Sequence, residues 1–155
     1  MYVQHIQSPL GLVRIQATAK GISEIVFVQP EQQTPDQPSE LTQLAANQLQ
    51  AYFSGNLQQF SLPLDATGTV FQQQVWQQLC TVGFGKTCSY STIANGINNP
   101  KAVRAVGAAN GRNPVSIVVP CHRIIGANGT LTGYAGGLDK KAWLLAHEKQ
   151  FSTQK

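Results

Sequence analysis

Cys121 is followed at once by His122 and Arg123, and is preceded by Pro120 and the apolar run Val115-Ser116-Ile117-Val118-Val119. A cysteine beside a base has the composition of an activated nucleophile. The thiolate is the reactive form, and an imidazole generates it by taking the proton. The same residue type is equally common as an inert, buried apolar group. The β-branched run before it reads as a buried strand that Pro120 ends. Neighbours on an extended chain point to opposite faces, so His122 reaches Cys121 only if the backbone turns after Pro120, or through a water. Cys80 and Cys88 have no neighbouring base and are assigned to structure, Cys80 on a helix that reads as buried.

A base of this kind needs an acid to fix its tautomer. Residues 69–155 contain two carboxylates, Asp139 and Glu148. Asp139 stands where an N-cap belongs, before Lys140-Lys141-Ala142-Trp143-Leu144-Leu145-Ala146. Glu148 falls at the end of that helix, beside His147, where a carboxylate opposes the helix dipole. It is either the orienting acid for His122 or a solvated helix-end charge.

The elements that must position these groups read as follows. Ser89 or Ser91 caps a short helix running to about Gly96, and Asn99 caps a second with Pro100 at its first position. The second stops at Asn110-Gly111 in a left-handed turn. Helix, tight turn, helix is a helix-turn-helix pattern. Ala102, Val103, Val106 and Ala109 form its core stripe. Lys101, Arg104, Ala105, Ala108 and Arg112 form the opposite one, basic at intervals and small in the middle. Small residues let a helix approach a groove of about 6 Å, the width of the DNA minor groove. A plain solvent-facing stripe has the same pattern. Upstream, Thr69 with Gln72 is a capping box for a helix whose apolar face carries Phe71, Val75, Trp76, Leu79 and Val82.

Residues 2–7, 12–18 and 22–28 read as strands of an antiparallel meander, with Val13, Ile15 and Ala17 alternating with Arg14 and Gln16. Residues 29–38 form a Gln- and Pro-rich loop. Ser39 then caps a helix with Leu41, Leu44, Ala45, Leu49, Tyr52 and Phe53, ending at Ser54-Gly55. Residues 1–68 hold two bases and five acids, a net of −3; residues 69–155 hold nine bases and two acids, a net of +7. The sign change marks the expected boundary between an N-terminal lobe, 1–68, and a C-terminal domain, 69–155. The basic half is a candidate polyanion surface.

The whole chain has 155 residues, 42% of them apolar and 12% charged. That content fills a core and excludes global disorder. No apolar run is long enough to span a bilayer, so no membrane association is expected. Met1-Tyr2-Val3-Gln4-His5 lacks a basic stretch followed by a long apolar one, so no secretory signal is expected. The three cysteines include no CxxC pair, which fits a reduced, cytoplasmic setting better than a disulfide framework or a cysteine-rich zinc site.

Pro120-Cys121-His122-Arg123-Ile124 resembles the signature of the O6-alkylguanine-DNA alkyltransferases. The resemblance covers roughly residues 69–150. It includes Ser89-Tyr90, the segment Asn99-Pro100-Lys101-Ala102-Val103-Arg104-Ala105-Val106-Gly107, Asn113-Pro114-Val115, Gly133-Tyr134-Ala135-Gly136-Gly137 and Trp143-Leu144-Leu145-Ala146-His147-Glu148. The first half resembles the family's variable lobe. The implied fold is α/β (α+β): a small antiparallel-sheet lobe with helices, then a mainly helical lobe with a winged-helix-like helix-turn-helix.

The resemblance also implies a reaction. Cys121 takes the alkyl group from O6 of guanine, or O4 of thymine, and keeps it, so each molecule acts once. His122 takes the thiol proton through a water and Glu148 holds its imidazole. Tyr90 donates to the departing guanine and rotates its phosphate, and Asn113 braces the turn. Val119, Tyr134 and Ala135 line the base pocket. Some relatives carry a hydroxyl residue where Ala135 stands, so any side-chain hydrogen bond from there is lost. The base is flipped from the duplex, with Arg104 taking its place in the stack. Ala105 and Ala108 lie in the minor groove, Ser91 and Asn99 meet phosphates, and Ala127 touches the strand. The implied partner is double-stranded DNA carrying alkylated guanine, bound by a monomer.

Some relatives hold zinc in the first lobe. Residues 1–68 here have no cysteine and only His5, so no metal is expected, and no cofactor loop is present. The rivals are a non-enzymatic helix-turn-helix protein that flags alkylated DNA and a Cys-His-Glu thiol hydrolase.

Overall fold

A computed structural model describes residues 1–134 and 136–152. The chain divides into two compact units, Met1–Thr67 and Gly68–Lys155.

In the first unit, β1 (Tyr2–Ser8), β2 (Gly11–Ala17) and β3 (Ile22–Phe27) form an antiparallel sheet in the order β1-β2-β3. Register follows the alternation of apolar residues: Ile6 pairs with Val13, and Ile15 with Ile25. Val13, Ile15 and Ala17 are wholly buried, each residue on the same face as the next but one. Helix α1 (Glu40–Phe53) covers the sheet with Ala45, Ala46, Leu49 and Tyr52. Ser39 caps it in a capping box closed by Thr42. Residues 63–65 then run beside Ile22, whose N–H donates to Pro63 O at 2.8 Å. Gly21 permits that approach, because a Cβ there would lie 2.8 Å from Pro63 O.

The second unit is built on α2 (Val70–Leu79), α3 (Tyr90–Gly96), α4 (Val103–Gly111) and α5 (Leu138–Ser152). The Thr69/Gln72 capping box opens α2. That helix stops at Leu79, short of Val82, and Cys80 at its C-cap is exposed rather than buried. Val75, Trp76, Leu79, Ile93, Val106 and Leu144 share the core, each worth roughly 1.5–3 kcal/mol of apolar transfer. The Trp76 indole N–H donates to Ala109 O at 2.9 Å and ties α2 to α4.

The turn between α3 and α4 departs from the sequence reading. Ser89, not Ser91, caps α3, accepting from the Thr92 N–H. The left-handed residue is Asn98 (φ 59), which closes α3 with bonds from Asn98 N to Asn95 O and Asn99 N to Ala94 O. Asn99 to Ala102 then form a separate turn, with Pro100 at its second position and Ala102 N donating to Asn99 O. The α4 helix therefore starts at Val103, with Ala102 as its cap, and Asn99 caps nothing. Its end is not left-handed either. Arg112 N reaches back to Ala109 O and Asn113 N to Asn110 O, a tightened last turn.

Among the described residues, no helix is long and apolar enough to cross a membrane.

Candidate active site

The apolar run before the cysteine is buried but is not a strand. Val118 N donates to Ser116 O and Val119 N to Val115 O, while Ile117 sits at φ 73. A left-handed β-branched residue is strained, so its surroundings must hold it. Asn113 does much of that holding. Its side-chain amide donates to Val119 O at 2.8 Å and Val115 O at 3.3 Å, and its carbonyl oxygen accepts from Val115 N at 3.0 Å. Pro114 and Pro120 flank the run and offer no N–H to a sheet neighbour, which is why high β-propensity loses to turns here.

Past Pro120 the chain enters a 3-10 turn, Cys121–Arg123. Cys121 and His122 are therefore no longer on opposite faces of an extended chain. The turn leads into β5 (Ile124–Ile125), which pairs in parallel with β4 (Cys88–Ser89). Ser89 is the cap of α3, so this short pairing ties the start of that helix to the segment that follows the cysteine turn.

Helix α5 supplies the acid. Asp139 lies in its first turn and is not its cap, since the helix already begins at Leu138. Nor is Glu148 at the end, because α5 continues to Ser152. Glu148 is buried, and its Oε2 lies 2.7 Å from His122 Nε2. Arg123 adds a two-point grip: Nε donates to Oε1 at 2.8 Å and Nη2 to Oε2 at 3.0 Å. The third guanidinium nitrogen donates to Val82 O at 2.6 Å. A buried carboxylate is costly unless paired, and this one is held by His122 and Arg123 and also accepts from the Gly85 N–H at 3.3 Å. Burial alone would raise its pKa, but the hydrogen bonds from His122 and Arg123, with the Arg123 charge, outweigh it and hold the carboxyl far below the usual range.

His122 is fully buried and its pKa falls, chiefly through desolvation, with Glu148 pulling the other way. The ring rests neutral at pH 7. Since Nε2 faces a carboxylate, it carries the hydrogen and Nδ1 is the free base. Nδ1 is buried and has no hydrogen-bond partner among the described residues. Cys121 is 4% exposed. Burial pushes its thiol up, against smaller opposing effects from Asn113 and the Lys141 charge. The resting sulfur is thus a neutral thiol, not the anion that the Cys-His pair alone would lead one to expect.

Sequence reasoning overlooked two basic residues. Arg123 stands inside the signature, and Lys141 is wholly buried, its Nζ donating to Thr132 O at 2.8 Å. The available signal was general: basic side chains are rarely buried without partners, and α5 carries Lys141 on the face of Leu144 and Glu148. Tyr134 is half-buried, and burial together with nearby Cys121 raises its phenol. Tyr90 Oη lies 2.5 Å from Thr132 Oγ1. Val119 is buried. Ala135 lies outside the described residues.

The outer stripe of α3 and α4 is open. Ser91, Asn99, Lys101, Arg104, Ala105, Ala108 and Arg112 are all exposed, as is Ala127 in the loop after the signature.

Fold and site together define a protein with a buried cysteine followed by a carboxylate-held histidine, in the unit that carries the helix-turn-helix. Two family profiles match almost the whole chain. One is the 6-O-methylguanine DNA methyltransferase ribonuclease-like domain, over residues 1–66, and the other is the DNA binding domain of the same proteins, over residues 70–150. The chain belongs to the 6-O-methylguanine DNA methyltransferase family. The methylated-DNA–protein-cysteine methyltransferase of Methanosarcina mazei is 46% identical over 154 residues, covering 96% of this chain and 98% of the relative. That of Mycobacterium tuberculosis is 43% identical, covering 96% and 93%. Among solved structures, the M. tuberculosis protein in complex with DNA superposes with a TM-score of 0.89 at 43% identity, covering 97% of this chain and 94% of that one.

Proposed function

We propose that this methyltransferase repairs duplex DNA by moving the alkyl group of O6-alkylguanine, and of O4-alkylthymine, onto Cys121. The buried His122–Glu148 pair next to Cys121, with one imidazole nitrogen left as a free base, is the observation that carries this reading. In the reaction the Sγ–H proton passes to His122 Nδ1 through a bridging water. Sulfur attacks the alkyl carbon, the C–O6 bond breaks, and its electron pair leaves on guanine, which takes a proton. The product is a thioether, which His122 cannot hydrolyse. One molecule therefore accepts one group.

A neutral resting thiol suits such a protein, because a permanent thiolate would be spent on stray electrophiles. The ion count supports deprotonation on demand. Glu148 balances Arg123, leaving the buried Lys141 ammonium as a positive charge toward a new thiolate.

The base must leave the duplex to reach a buried sulfur, at a cost of a few kcal/mol. Exposed Arg104 is the side chain that fills the gap, while Ala105 and Ala108 let α4 sit in the minor groove. Ser91, Asn99 and Ala127 contact the strand, and Tyr90 rotates the phosphate and donates to the leaving base. Val119 and Tyr134 line the pocket, Asn113 shapes it, and the protein works as a monomer. The two-lobe division at residue 68 separates this machinery from the sheet lobe.

The test is to incubate the protein with an oligonucleotide bearing O6-methylguanine and weigh it intact. One added methyl is expected, on the Cys121 peptide, saturating at one equivalent. Multiple turnover would replace this reading with a hydrolase, and binding without mass gain would replace it with a lesion-flagging protein.

A further inference from the structure

Tyr90 has one hydroxyl hydrogen. If that hydrogen is given to Thr132, it is not available to a departing guanine. The 2.5 Å pair can be donated in either sense, so its polarity matters. Thr132 is fixed in place beside Tyr90 Oη. It follows an exposed turn in which Gly126 N donates to Thr130 O and the Thr130 hydroxyl donates to Asn128 Oδ1. At Thr132 the loop becomes fixed, because the buried Lys141 ammonium grips its carbonyl at 2.8 Å. A buried ammonium has few alternative partners, so this contact pins the residue from α5 while its hydroxyl meets Tyr90 on α3.

We infer that Thr132, anchored by Lys141, is a positioning residue for the transfer: it donates its hydroxyl hydrogen to Tyr90 Oη and leaves the Tyr90 hydrogen free for the leaving base. This rests on the alkyl-transfer reading. As the C–O6 bond breaks, the electron pair goes to guanine and the Tyr90 proton moves toward it. Negative charge then grows on Oη, and a donor already aimed there stabilises it without rearrangement. Solvent returns the proton to Tyr90 after the base departs. The thiol proton is accounted for separately by His122, so one proton leaves sulfur and one reaches guanine.

The test uses a duplex oligonucleotide carrying O6-methylguanine, with single-turnover transfer measured at saturating DNA and affinity measured apart. Thr132→Val keeps the shape and removes the donor. Transfer should slow by about ten- to a hundredfold, the usual worth of a hydrogen bond to a charged group, with affinity unchanged. Thr132→Ser should restore the rate. In a Tyr90→Phe background Thr132→Val should change nothing further, because its only route of action is gone. An unaltered rate in Thr132→Val, or an equal slowing when Tyr90→Phe is already present, would overturn the inference. If the unsubstituted protein transfers no methyl, the repair reading itself falls, a result distinguishable from either.

Discussion

Glu148→Gln separates what the buried acid does for folding from what it does for chemistry. The substitution keeps size and shape but removes the charge. Arg123 and His122 are then left with an amide that can accept hydrogen bonds but cannot neutralise a guanidinium that is 8% exposed at its side chain. Breaking a buried pair in this way costs about 3–5 kcal/mol. In a protein of this size that corresponds to a fall in Tm on the order of 10 °C. Pairing it with Arg123→Met removes the stranded cation, and the double variant should be more stable than the sum of the two losses by about 1–3 kcal/mol. Transfer should not recover with it, because His122 still lacks the carboxylate that holds its hydrogen on Nε2. Urea unfolding of the four proteins and single-turnover transfer give both axes. If Glu148→Gln unfolds like the parent, or if the double variant regains the parent's rate, the reasoning about this acid is wrong.

The same pair sets the response to acid. His122 is held below its ordinary 6.5, mainly by burial, so the unfolded chain takes up the proton first. Its contribution is complete above about pH 6.5 and drains away as the pH falls through that value toward the folded pKa. Glu148 is held below 4.5 despite its burial, by its His122 and Arg123 partners, so it stabilises fully above pH 4.5 and loses that contribution below it. Parent stability should therefore fall in two stages on acidification, and Glu148→Gln should lack the second.

The remaining predictions concern the DNA face and the turn. Arg104→Ala should slow repair of duplex DNA far more than reaction with free O6-alkylguanine, since only the duplex requires flipping; equal losses measured by mass spectrometry would remove Arg104 from that role. Asn113→Ala strands buried groups of Val115 and Val119 and should cost about 2–3 kcal/mol in denaturant unfolding, with transfer slowed as well. Unchanged unfolding would show that Ile117 and its neighbours are held by packing alone.

What could be read before folding was local. Strand alternation at Val13, Ile15 and Ala17, the caps at Ser39 and Thr69, the open stripe on α4 and the Cys-His pair are all properties of neighbours within a few residues. Their physics is steric and periodic, so chain order suffices. Residues 115–119 were misread for the converse reason. Their β-branched side chains favour a strand wherever another strand is there to pair with, and here Asn113 and two prolines offer turns instead. The start of α4 moved because Asn98 and Asn99 could each satisfy backbone groups in more than one way, and the Asn98 left-handed closure took them first. Apart from Glu148 as the acid for His122, partners remote in sequence were not visible: Lys141 on Thr132, Thr132 on Tyr90, and Arg123 shared between Glu148 and Val82. The candidate nucleophilic sulfur was thus singled out by residue order. Its protonation, the free nitrogen of its base and the charges around it were decided only by tertiary burial, because desolvation and ion pairing depend on what the fold brings near.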